Sequence, residues 1–96
     1  MVLLHIEHTT LNFDAWKATF DSYAELRQKS GVRNYRVSRL IDKPDFAIID
    51  LEFDSLREAE SLLAALQQLW QRAVGKVIQD PQWRISELVE AKELAL

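Results

Sequence analysis

The stretch Phe46-Ala47-Ile48-Ile49-Asp50-Leu51-Glu52-Phe53-Asp54-Ser55-Leu56-Arg57-Glu58 changes its hydrophobic period partway along, and that change decides the fold. From 46 to 53 the pattern repeats every two residues, as in a strand. Ala47, Ile49, Leu51 and Phe53 share one side, and Phe46, Ile48, Asp50 and Glu52 share the other. Ser55 and Glu58 then form an S-x-x-E capping box, in which each side chain reaches the other's backbone amide. Beyond it Leu56, Ala59, Leu63, Leu66, Trp70 and Ala73 recur at spacings of three and four, with Leu62 and Leu69 widening the stripe. Gly75 ends the run. The spacing therefore predicts a strand feeding directly into an amphipathic helix.

Upstream, residues 32–41 are rich in strand-forming types and precede Asp42-Lys43-Pro44-Asp45, whose proline presets a turn, so 32–41 and 46–53 form a hairpin. Further back, Asn12 stands at an N-cap position with Asp14 beside the positive end of the helix it opens. Phe13, Trp16, Phe20, Tyr23, Ala24 and Arg27 make one stripe of a helix running to Ser30, with Gly31 as its left-handed cap. Residues 2–8 alternate Val2, Leu4, Ile6 and His8 against Leu3, His5 and Glu7, giving the first strand. Downstream, an Asp80-Pro81 turn precedes a last strand over 83–90. The order is β-α-β-β-α-β. This is an α+β, ferredoxin-like pattern with a four-stranded antiparallel or mixed sheet, two helices on one face, and strands one and three side by side in the centre.

Composition sets bounds around that frame. At 96 residues, 48% hydrophobic and 28% charged, with two glycines and two prolines, the chain is expected to form a single domain over 1–96. It has no cysteine, which excludes disulfides, thiolate metal sites and cysteine nucleophiles. A net charge of −3 disfavours a surface that tracks nucleic-acid phosphates. Val2-Leu3-Leu4 is too short for a signal or membrane segment, so no membrane partner and a cytoplasmic location are expected.

Two helices cover only one sheet face. The other carries Leu3, Phe46 and Ile48 beside His5, Glu7, Asp50 and Glu52, too apolar for water and too polar for a dry core. A homodimer joined through that face is expected.

The segments Asn12-Phe13-Asp14-Ala15-Trp16-Lys17, Phe20-Asp21, Gly31-Val32, Tyr35-Arg36-Val37, the turn from Asp42 to Asp45 and Glu52-Phe53-Asp54-Ser55-Leu56 together resemble the dimeric α+β barrel superfamily. Within it the chain looks like the small proteins related to antibiotic-biosynthesis monooxygenases, some loosely labelled cyclases. The resemblance runs over nearly the whole chain and implies two sheets stacked across a two-fold axis, with a ligand cavity between sheet and helices in some relatives. It does not imply one activity. Haem-degrading relatives carry an asparagine on strand one and a histidine on helix two. Here the first region has His5 and the second has no histidine, so that catalytic set does not carry over.

Two groups of residues are candidates for chemistry. His5 and Glu7 share a face of strand one, and Asp50 and Glu52 share the same face of strand three, read as parallel to it. His5 and Asp50 are the catalytic candidates, as acid-base groups. The simpler reading pairs the acidic groups with Arg33, Arg36, Arg84 or water inside a dimer, and it outweighs a metal site. His5 and His8 face opposite ways along a strand and cannot share an ion. The second group, Trp16, Phe20, Tyr23, Trp70 and Trp83, is bulky for so thin a layer; it is either core packing or the wall of a site for a flat organic ligand, with Arg36 or Tyr23 as a polar anchor. Arg33, Arg36 and Arg39 also suit an edge strand that resists further pairing. No G-x-S-x-G, P-loop, Rossmann or H-E-x-x-H string is present, and neither a cofactor nor a metal is expected. Two functions remain: a homodimeric domain that binds a small aromatic or apolar molecule without catalysis or serves assembly, and a cofactor-independent monooxygenase or cyclase-like enzyme acting on an aromatic or enolisable substrate.

Overall fold

The computed structural model describes residues 1–95. The elements run β1 (Val2–Thr10), α1 (Phe13–Ser22), α2 (Ala24–Lys29), β2 (Asn34–Arg39), β3 (Phe46–Phe53), α3 (Leu56–Ala73) and β4 (Ile78–Glu87). The strands form one sheet in the order β2-β3-β1-β4. Every neighbouring pair is antiparallel, which corrects the parallel sense read for strand three beside strand one. The reason is topological: a crossover through α1 and α2 makes β1 and β2 parallel, and the β2–β3 hairpin then reverses β3 as it inserts between them.

The strand alternation behaves as the sequence predicts. Leu4, Ile6, Ala47, Ile49, Leu51 and Phe53 are buried on the helix side, packed with Ala59, Leu62 and Trp70 of α3, Trp16 of α1 and Ile78 of β4. Helix starts are fixed by their caps. Asn12 Oδ1 accepts the Ala15 amide at 2.9 Å, and Ser55 Oγ accepts the Glu58 amide at 3.2 Å while donating to the Glu58 carboxylate at 3.0 Å. Gly31 has φ +94°, a backbone conformation that strains any residue with a Cβ, and a Cβ there would also displace the Glu58 carboxyl at the start of α3.

Two local expectations fail for visible reasons. The first helix is not continuous to Ser30 but breaks at Tyr23. Thr19 Oγ and Ser22 Oγ donate to carbonyls of their own helix, Ala15 and Thr19, a competition that bends helices, and the Tyr23 amide closes a tight turn onto the Phe20 carbonyl. Asp80-Pro81 is not a turn before the last strand; it lies inside β4, which spans 78–87 instead of 83–90. Between Glu7 opposite Gln82 and Thr9 opposite Gln79 the register slips by one residue, a bulge in which Asp80 adopts φ 53°. An edge strand tolerates proline at such a bulge because no ladder hydrogen bond is asked of its nitrogen.

Candidate functional site

The sheet separates the two groups of candidate residues. His5 and Asp50 are register partners at the centre of the sheet on the face away from the helices. His5 Nδ1 lies 2.8 Å from Asp50 Oδ1 and Nε2 lies 3.3 Å from Glu7 Oε2, so the imidazole bridges two carboxylates. Arg36 and Arg84 extend this row on either side, as the partners of Asp50 and His5 in β2 and β4. Neither arginine forms an ion pair with the cluster among the described residues; the carboxylates are met by the histidine instead, and Arg33 pairs with Asp54 at 2.7 Å. No group of three or more His, Asp or Glu side chains suited to a metal ion occurs among the described residues.

On the opposite face a cavity of about 230 Å³ lies between sheet and helices. Its floor includes Ile6, His8, Ile49 and Leu51; one wall comes from Trp16, Phe20, Tyr23 and Arg27, the other from Leu62, Leu66, Leu69 and Trp70 of α3. An aromatic series runs along the first wall. The Trp16 ring meets His8 edge-on at 5.3 Å between centroids and lies 5.4 Å from Phe20, which meets Tyr35 at 5.5 Å. An apolar cavity of about 150 Å³ suffices for benzene, so this one accommodates a molecule of one or two rings.

Trp16, Phe20, Tyr23 and Trp70 thus meet around one cavity. Arg36 does not join them, because alternation along β2 sends it to the far face with Asp50. Trp83 also lies off the cavity. It faces the helices opposite Ile6, but from an edge strand, where its ring lies 5.7 Å from Trp70 and stays 45% exposed.

Two cavity residues carry chemistry that the sequence reading did not assign. His8 is 3% exposed, and burial lowers its pKa below the ordinary 6.5. Its Nδ1 faces the Thr9 carbonyl at 3.3 Å, which favours the Nδ1–H tautomer and leaves Nε2 with its lone pair. Arg27 is 6% exposed, its guanidinium stacked over Phe20 at 3.8 Å from the ring centroid. Both were placed on the correct face by period alone. That a histidine and an arginine on an apolar stripe are unusual there was the available signal.

With β-α-α-β-β-α-β order, an antiparallel sheet and helices on one face, the chain has a ferredoxin-like α+β fold. Solved structures share it. A protein provisionally named an antibiotic biosynthesis monooxygenase, from Deinococcus radiodurans, superposes with a TM-score of 0.70 at 19% identity, covering 99% of each chain. A Nitrosomonas europaea protein of unknown function gives 0.72 at 17% identity over 98% of this chain and 94% of its own. A dimeric ferredoxin-like protein from an uncultured marine organism gives 0.65 at 9% identity over 98% and 100%. At these identities the likeness establishes the fold, the one expected from the resemblance in sequence. No family model and no curated protein matches the chain. No helix among the described residues is long and apolar enough to cross a membrane.

Proposed function

We propose that this chain is a single homodimeric domain that binds a small aromatic or apolar molecule between its sheet and its helices. The observation that carries the reading is the cavity: apolar walls, the four aromatic rings of Trp16, Phe20, Tyr23 and Trp70, and only a few polar groups, the composition expected of a small-molecule site. Self-association has separate support. Leu3, Phe46 and Ile48 remain half-buried on the uncovered sheet face. Two of the structural neighbours are themselves described as dimeric ferredoxin-like proteins.

Calorimetric titration with 2-naphthamide tests the cavity. Leu66→Trp fills it from α3, so the variant remains folded and binds no probe. Equal binding by the variant would place the probe elsewhere and remove the reading.

A second reading, a cofactor-independent monooxygenase or cyclase-like enzyme, draws support from the names given to two structural neighbours and from the unprotonated imidazole of His8 in the cavity. In that case the base is His8, since His5 and Asp50 lie across the sheet. The readings separate on whether 2-naphthol is recovered unchanged or oxidised after aerobic incubation with the protein.

A further inference from the structure

Arg27 is the least explained side chain in the molecule. It belongs to α2, yet only 6% of it is exposed, less than the core tryptophans Trp16 and Trp70. A guanidinium keeps its charge when buried and normally brings a carboxylate with it. Arg27 brings none: among the described residues the ion pairs nearest in sequence are Lys29 with Glu25 and Arg33 with Asp54, and Arg27 joins neither. What it has instead is incomplete. Nη1 donates to the Phe20 carbonyl at 2.6 Å, at the break between α1 and α2, and the guanidinium lies over the rings of Phe20 and Tyr35. Nε is buried and donates to nothing among the described residues. The same side chain lines the cavity, where it is the one formally charged residue among the described residues.

We infer that Arg27 is the anion-recognition group of this cavity, and that the ligand is a small planar organic acid, an aromatic carboxylate of one or two rings. This deepens the binding reading above and rests on it. The ring lies against Trp16 and the α3 leucines, and the guanidinium turns toward the cavity to give the carboxylate its Nε–H, which is buried and unpaired in the unliganded chain. A carboxylate matches the planar fork of an arginine and carries one charge for one cation. A phosphate dianion would ask for a second cation, which the cavity does not offer. His8 does not compete for the acid, because burial favours its neutral form. The dimer interface lies on the opposite sheet face, so a second copy seated there does not supply the missing anion.

The test compares 2-naphthoate with 2-naphthamide, which has the same rings without the charge, by calorimetry on the full chain at pH 7.5. The wild type binds the acid at least tenfold more tightly than the amide. Arg27→Met keeps the length and apolar packing of the side chain, and it abolishes the preference for acid over amide. In the absence of ligand its melting temperature is not lower than that of the wild type, since an uncompensated buried charge has gone. A purely structural role through the Phe20 carbonyl predicts the reverse, a less stable variant that loses acid and amide alike. Leu66→Trp removes acid binding; acid binding that persists in it would put the anion outside the cavity and overturn the assignment. Equal wild-type affinity for acid and amide overturns the role of Arg27 while leaving the cavity reading intact. No binding of either overturns both. The wild-type comparison decides even if Arg27→Met fails to fold.

Discussion

Replacing Trp16 with alanine separates a residue that lines a site from one that only fills a core. A fully enclosed tryptophan costs about 3–5 kcal/mol when truncated, from lost transfer free energy and the void left behind. Trp16 is only 8% exposed, but its ring is not packed all round: His8, Phe13 and Phe20 meet it at centroid distances of 5.3, 5.6 and 5.4 Å, and it also borders the cavity. The side bordering the cavity lacks the dense contacts of an interior, and forfeits part of the dispersion energy before any mutation. Trp16→Ala is therefore expected to cost about 2–3 kcal/mol. A 96-residue chain has a stability of roughly 5–14 kcal/mol, so the variant stays folded. In urea, with a slope near 1.5 kcal/mol per molar, the midpoint falls by about 1–2 M at unchanged slope. Affinity for 2-naphthamide falls at least tenfold, because the ring is the largest apolar surface offered to the probe. A loss above about 4 kcal/mol with unchanged probe affinity would refute the placement of this ring against a ligand.

Three further outcomes follow from the geometry. Burial lowers the pKa of His8, so between its folded value and about 6.5 the unfolded chain binds more protons; stability is complete above about pH 6.5 and declines as the pH falls below it. Urea melts from pH 7 to 5 should show that decline in the wild type and a shallower one in His8→Leu. Gly31→Ala forces a side chain to φ +94° and into the Glu58 carboxylate that completes the Ser55 cap, and should lower stability by roughly 1–3 kcal/mol in the same assay. Ile48→Asp sets a third carboxylate opposite Glu7 and near Asp50 on the uncovered face, so sedimentation equilibrium should report 11.2 kDa in place of twice that mass.

Period and punctuation made most of the fold legible. The 46–58 segment was read to the residue, strand and helix start alike, because alternation and a capping box are local signals that tertiary packing reinforces. The misread places are those where local signals compete. Asp80-Pro81 has the form of a turn and is also what a bulged edge strand accepts, and only pairing with β1 chooses between them. The break at Tyr23 depends on hydroxyls of Thr19 and Ser22 turning back onto their helix, which a stripe of apolar spacing does not register. The cavity was legible only as an excess of large rings. Whether Trp16, Phe20 and Trp70 close onto one another or leave space depends on how far α1 and α3 stand apart across the sheet, a non-local quantity. Spacing makes Arg27 one more member of an amphipathic stripe, because it places a residue on a face without saying how deeply it is buried.

β1 shows why the two halves of the candidate chemistry cannot form one site. Its residues alternate between the two environments: Leu4, Ile6, His8 and Thr10 are buried toward the helices, while Leu3, His5 and Glu7 belong to the uncovered face. A sheet is one layer thick, so side chains three residues apart on a strand point away from each other with the backbone between them. A base at His5 therefore cannot meet a substrate at the Tyr23 side of the cavity, where the buried ionisable side chains among the described residues are His8 and Arg27. Conversely, the His5, Glu7 and Asp50 cluster lies on the face expected to receive a second copy of the chain. There the contacts of His5 with Asp50 and Glu7 partner polar groups with one another when water leaves. One strand thus contributes to both candidate surfaces, and its alternation keeps them physically apart.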